Sequence, residues 1–78
     1  MRIYITKADI RNGRPCSACK CPLARSLQRR FPRRFVTVGP RGGMVGHKIL
    51  LWTKGVRNFI SRFDGLKSVK PFSFNLDL

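Results

Sequence analysis

Hydrophobic and polar positions alternate from the start: Ile3 and Ile5 fall on one face, Arg2 and Tyr4 on the other, the period-two signature of a strand. Thr6-Lys7-Ala8-Asp9 has the form of a capping box and predicts one short helical turn, closed by Asn12-Gly13. Residues 13–20 read as a loop carrying Pro15, Cys16 and Cys19. Cys21-Pro22 opens a helix, with proline at the first helical position, where its missing N–H costs nothing. Leu23, Ala24, Leu27 and Phe31 form its apolar stripe, and Pro32 stops it. Phe35 to Val38 is a β-branched run that predicts a second strand, and Gly39-Pro40-Arg41-Gly42-Gly43 a turn. Met44 to Trp52 reads as a third strand, strongest from Lys48 on and weakened at its start by Gly46. Thr53 is placed to cap a helix in which Val56, Phe59, Ile60 and Phe63 sit at i, i+3, i+4 and i+7, a core stripe ended by Gly65. Phe72, Phe74, Leu76 and Leu78 alternate with Ser73, Asn75 and Asp77, a final strand with one wet face.

The order is β-α-β-β-α-β. It predicts an α+β fold, a ferredoxin-like two-layer sandwich with a four-stranded antiparallel sheet and two helices on one face. Residues 1–78 make a single domain with no internal repeat. At 42% hydrophobic the chain has enough for a small core. A chain of this length buries only about 60% of its unfolded surface, so its stability is expected to be modest.

Charge changes the picture most. Lys and Arg number 17 against three acids, Asp9, Asp64 and Asp77, for a net charge of +14, and there is no Glu. Most acid–base and glycosidase chemistry needs paired carboxylates or several histidines; one His and three scattered Asp point away from an enzyme. A free protein of such charge repels itself, and bound anions relieve that cost. Nucleic acid is the first partner to expect, because Lys and Arg contacts release its condensed counterions. Eleven of the 17 are Arg, whose fork pairs bidentately with phosphate and stacks on bases.

The candidate binding residues are Arg25, Arg29, Arg30, Arg33 and Arg34, which fall within ten positions. Arg25 and Arg29 are i, i+4 neighbours on a helix, and like charges at that spacing need an offset that phosphates would supply. Arg41 in the glycine-rich turn, and Arg57 and Arg62 on the polar face of the last helix, extend the set. A solvated helix face is the ordinary role of any one surface Arg, so the cluster carries the assignment. Tyr4 and Trp52 are the stacking candidates for single strands, although Trp52 is expected to sit half-buried beside Thr53; Phe59, Phe63, Phe72 and Phe74 belong to the core. The alternative partner is an acidic surface of a host protein complex, met without nucleic-acid contact.

The longest apolar stretch, Ile49 to Trp52, is far short of the ~20 residues of a membrane span. The opening MRIYITKADI lacks the apolar core of a secretory signal. Three cysteines within six positions do not form a disulfide framework, and the expected setting is a reducing cytoplasm. Cys16, Cys19 and Cys21 form C-x-x-C-x-C, and with His47 they would complete a Cys₃His zinc set. Against this stand the missing second C-x-x-C, the isolation of His47, and the helix-capping place of Cys21, so neither metal nor cofactor is expected. Cys19 to Arg25 also fits C-x₅-R, the spacing of a phosphatase nucleophile and its phosphate-binding Arg. That cradle needs successive backbone N–H groups, and Pro22 has none.

Several segments together resemble a group of small, largely uncharacterised proteins encoded by bacteriophages and prophages. They are the ITKADI opening, Cys21-Pro22-Leu23-Ala24-Arg25-Ser26-Leu27, a strand ending in Val38-Gly39, Asn58 to Gly65 and Val69 to Phe74. Cys16 and Cys19 fall outside that pattern. Very small phage proteins often bind and block host machinery, anti-CRISPR proteins among them. The resemblance therefore implies a phage-encoded inhibitor of host defence, whose arginines would contact nucleic acid or an acidic surface of the host complex.

Overall fold

The computed structural model describes residues 1–76. In chain order the elements are β1 (Arg2–Ile5), α1 (Lys7–Asn12), α2 (Pro22–Arg30), β2 (Val36–Val38), β3 (Gly42–Val45), β4 (Lys48–Leu51), α3 (Lys54–Asp64) and β5 (Phe72–Asn75).

The α+β class holds. The four-stranded ferredoxin-like sheet with two helices does not: β1 and β5 form a two-stranded sheet, β2–β3–β4 a three-stranded one, and three helices accompany them among the described residues. The cause lies at Gly46. The run from Met44 to Trp52 is not one strand but a hairpin, with Gly46 at φ +61° in the first central position of a two-residue turn. Glycine adopts that conformation without steric cost, and a turn of this kind matches the twist of its flanking strands. Folding back pairs Val45 with Lys48, Met44 with Ile49 and Gly42 with Leu51. The segment read as one third strand is thereby used up in a meander with β2, in register Val36 to Val45 and Thr37 to Met44. The expected turn at Gly39–Gly43 is correspondingly shorter, since Gly42 and Gly43 belong to β3.

The first and last strands pair with each other. β1 and β5 run antiparallel, Ile3 opposite Phe74 and Ile5 opposite Phe72. The predicted strand was to reach Leu78; β5 ends at Asn75, Leu76 is buried beyond it, and Asp77 and Leu78 lie outside the described residues.

Local signals set the helix starts. Thr6 Oγ1 accepts the Asp9 N–H at 3.2 Å while Asp9 Oδ2 accepts the Thr6 N–H at 2.9 Å, a reciprocal capping box. The predicted single turn extends to a six-residue helix, α1. Cys21 caps α2, its Sγ accepting the Ala24 N–H at 3.4 Å, with Pro22 at the first position. Thr53 takes the N-cap position of α3 without a side-chain cap bond. At its far end the Leu66 N–H donates to Phe63 O and the Lys67 N–H to Arg62 O, a Schellman closure.

One core joins these pieces. Ile3 and Ile5 from β1 meet Leu23, Ala24 and Leu27 from α2. The same cluster takes Val36, Val38, Val45 and Leu50 from the meander and Val56, Phe59 and Ile60 from α3. Phe31 and Phe72 are half-buried and packed against it, and Phe63 is half-buried on α3. Phe59 and Phe72 stack with ring centroids 5.7 Å apart.

Candidate nucleic-acid interface

The arginines of α2 lie on the side away from its buried stripe, but they are not equivalent. Asp9 on α1 is fully buried and faces them. Arg29 grips it bidentately, Nη1 to Oδ1 at 2.7 Å and Nη2 to Oδ2 at 2.9 Å, and Nη2 also donates to the Tyr4 carbonyl at 3.1 Å. Arg25 places its Nε 3.7 Å from the same carboxylate. Burial alone would raise the Asp9 carboxyl, but the Arg29 and Thr6 hydrogen bonds and the Arg29 charge outweigh it and hold it below the usual carboxylate value. The same bonds raise Arg29. The like-charge pair at i, i+4 therefore has its offset inside the protein. Arg29 joins α1, α2 and β1, with 53% of its side chain exposed.

Arg30 and Arg34 differ. Both stack their guanidinium groups over the Phe31 ring, at 5.8 Å and 6.0 Å from its centroid, and neither makes an ion pair among the described residues. Gln28 Nε2 donates to the carbonyls of Phe31 and Arg34, which holds the turn after α2. Arg33 and Arg34 then line a groove with Phe35, His47 and Lys48 at the Gly46 turn. On the other flank Arg30 and Arg29 share a hollow with Arg2 and Tyr4. The structure so brings Arg25, Arg29, Arg30, Arg33 and Arg34 into one strip and adds Arg2 and Lys48 to it.

Arg41, Arg57 and Arg62 lie elsewhere. Arg41 is exposed between β2 and β3. Arg57 is exposed on α3, and Arg62 donates to the Ser68 carbonyl at 3.2 Å beside Lys70. The two stacking candidates separate as well. Tyr4 is 62% exposed beside the strip, whereas Trp52 is buried, its indole N–H bonded to the Gly39 carbonyl at 2.9 Å.

The cysteines do not assemble. No group of three or more His, Cys, Asp or Glu is close enough to hold a metal ion among the described residues, so Cys16, Cys19, Cys21 and His47 are not one ligand set. Cys21 is buried, and burial pushes its thiol up, away from a reactive thiolate. Cys16 fixes its loop, its N–H donating to Asp64 Oδ1 at 2.9 Å. Cys19 is exposed in a shallow depression that Arg25 also lines.

No family model, curated protein or solved structure matches the chain.

Of the seventeen cations, Arg25 and Arg29 are paired with Asp9, and the remaining fifteen make no ion pair with a carboxylate among the described residues. From residue 10 to residue 63 the chain has no acidic residue. One further surface escaped sequence reasoning. The outer face of the three-stranded sheet presents Met44, Ile49 and Leu51, the last two 75% and 84% exposed, with exposed Phe35 just before β2. The hairpin at Gly46 creates it: reading Met44 to Trp52 as one strand hides that Met44 and Ile49 stand side by side.

Proposed function

We propose that the chain is a non-enzymatic binding module that engages nucleic acid, alone or within a nucleoprotein complex. The observation that carries this is the strip formed by α2 and the turn after it, where Arg30, Arg33 and Arg34 join Arg2 and Lys48 with no carboxylate partner among the described residues. Arg30 and Arg34 are held on the Phe31 ring, which limits their freedom and lowers the entropy lost on binding phosphate. Tyr4 beside the strip suits an unpaired base. The role implied by the resemblance is inhibition of a host defence complex that carries nucleic acid.

A second reading has its own support. The apolar outer face of the three-stranded sheet is flanked by Arg33, Arg34 and Lys48 and suits an acidic protein surface. Salt dependence separates the two. Purified, nuclease-treated protein is titrated into labelled random duplex and single-stranded DNA at low and moderate salt. Nucleic-acid binding predicts a log–log slope of about −4 or steeper, as several phosphates are neutralised. No binding at low salt would exclude it and leave the acidic-protein reading.

A further inference from the structure

The depression between α1, the loop of residues 13–20 and α2 is lined by Arg14, Lys20, Arg25 and Arg29, with Gln28 and Cys19 between them. It is open, with a volume of about 620 Å³, within the range of small-molecule sites. We propose that it binds a phosphate monoester, such as the phosphorylated end of a nucleic-acid strand. The proposal deepens the nucleic-acid reading and rests on it for the nature of the strand.

Charge identifies the ligand class. Four cations converge here, and the carboxylate facing them is Asp9, buried beneath, hydrogen-bonded by Arg29 and 3.7 Å from Arg25 Nε. Three positive charges stay uncompensated. A monoester carries about −2 at neutral pH and cancels most of that, whereas an internal diester carries one charge and cancels a third. Hydrogen-bonding capacity agrees. The Arg25 Nε is buried without a hydrogen-bond partner, and the guanidinium makes no hydrogen bond among the described residues. Its fork is available for bidentate contact with phosphate oxygens.

The walls are built rather than incidental. The Arg14 N–H donates to the Lys20 carbonyl at 2.8 Å and closes the loop on itself. Gly13 leaves no room for a side chain: a Cβ there would lie 2.6 Å from the Asp9 carbonyl oxygen and 2.7 Å from Pro22 Cδ. On its far side the loop is tied to α3 by the Cys16–Asp64 hydrogen bond. Arg14 and Lys20 are thus presented from a short, pinned loop against a helix.

Cys19 supplies a direct readout, because a ligand in the depression shields its thiol, and exposed Cys16 serves as the internal control. Alkylation of the folded protein is followed by peptide mass spectrometry with and without pyrophosphate. Slowing at Cys19 of about tenfold, with Cys16 unaffected, is expected, the ratio that 1.4 kcal/mol of binding supplies. Arg14→Gln with Lys20→Gln should remove the protection while the melting temperature is retained, since neither side chain makes a hydrogen bond or ion pair among the described residues.

In parallel, single strands bearing a 5′-phosphate, a 3′-phosphate or hydroxyl ends are compared by anisotropy. A phosphorylated end is expected to bind about tenfold more tightly than a hydroxyl end, the worth of one charge-assisted hydrogen bond. Protection of Cys19 with no strand bound at any end would uphold the phosphate site and defeat the nucleic-acid reading. Strands bound without end preference, with Cys19 unprotected by pyrophosphate, would overturn the site and leave that reading standing.

Discussion

Asp9 and Arg29 divide the arginine cluster into structural and available members. A bidentate Arg on a fully buried carboxylate is a stability element, because removing it strands a charge. Arg29→Gln is expected to cost about 2–3 kcal/mol in urea unfolding, discounted for the half-exposed guanidinium. Arg30→Gln, which loses only its place over Phe31, should cost less than about 1 kcal/mol. Equal costs would mean that the Asp9 pair does not form as described. The pair also sets an acid limb. The Asp9 carboxyl is held below its ordinary value of 3.8 in the folded protein, so its contribution is fully present above the unfolded value and is lost as pH falls through the folded one. Asp9→Asn lacks that contribution at every pH. Urea midpoints of wild type and Asp9→Asn should therefore differ at neutral pH and converge as pH falls below about 4. Parallel curves down to acid would contradict the ion pair.

At the scale of elements, two glycine-type positions tell opposite stories. Gly46 meets its turn and splits the expected third strand. At the end of α3 the left-handed position falls one residue beyond the glycine: Gly65 has φ −81°, while Leu66 has φ +61° and is 81% exposed. A β-carbon costs about 1–2 kcal/mol in that conformation. Leu66→Gly is expected to raise stability by about 1 kcal/mol, since the exposed side chain contributes little packing and the Schellman bonds are kept. An unchanged or lower thermal midpoint would mean that α3 ends differently. Phe59 is the opposite case, buried on α3 and stacked on Phe72. Phe59→Ala should cost about 3–5 kcal/mol, enough to unfold most of a domain this small. A far-ultraviolet spectrum and urea midpoint like those of wild type would show that α3 is not packed against the core.

Across the whole molecule, short-range signals were legible and long-range ones were not. The capping box at Thr6, the Cys21-Pro22 helix start, the Val56–Ile60 stripe and the alternation of Phe72 and Phe74 each depend on residues a few positions apart, and each appears where the pattern puts it. Sheet partnership depends on where the chain folds back. Gly46-His47 is a weak turn dipeptide inside an apolar run, so the meander was hidden, and with it the apolar face of Met44, Ile49 and Leu51. The arginine cluster was legible as a cluster because its members are close in sequence. Which of them are engaged was not, because Asp9 lies twenty residues from Arg29, on the far side of the loop of residues 13–20. Trp52 is buried more deeply than the half-buried place its sequence position suggests, because its partner is the Gly39 carbonyl, thirteen residues away.

The most direct test compares wild type with the Arg30→Gln, Arg33→Gln, Arg34→Gln triple variant on labelled random duplex, with affinity measured across a salt series. These residues avoid the Asp9 pair, so the fold should be retained, with a melting temperature close to that of wild type. Each lost phosphate contact lowers the log–log slope by about 0.9, so the variant's slope should be shallower by about 2–3 and its low-salt affinity weaker. A slope identical to that of wild type, in a variant that melts like wild type, would contradict the assignment of nucleic-acid binding to the α2 strip.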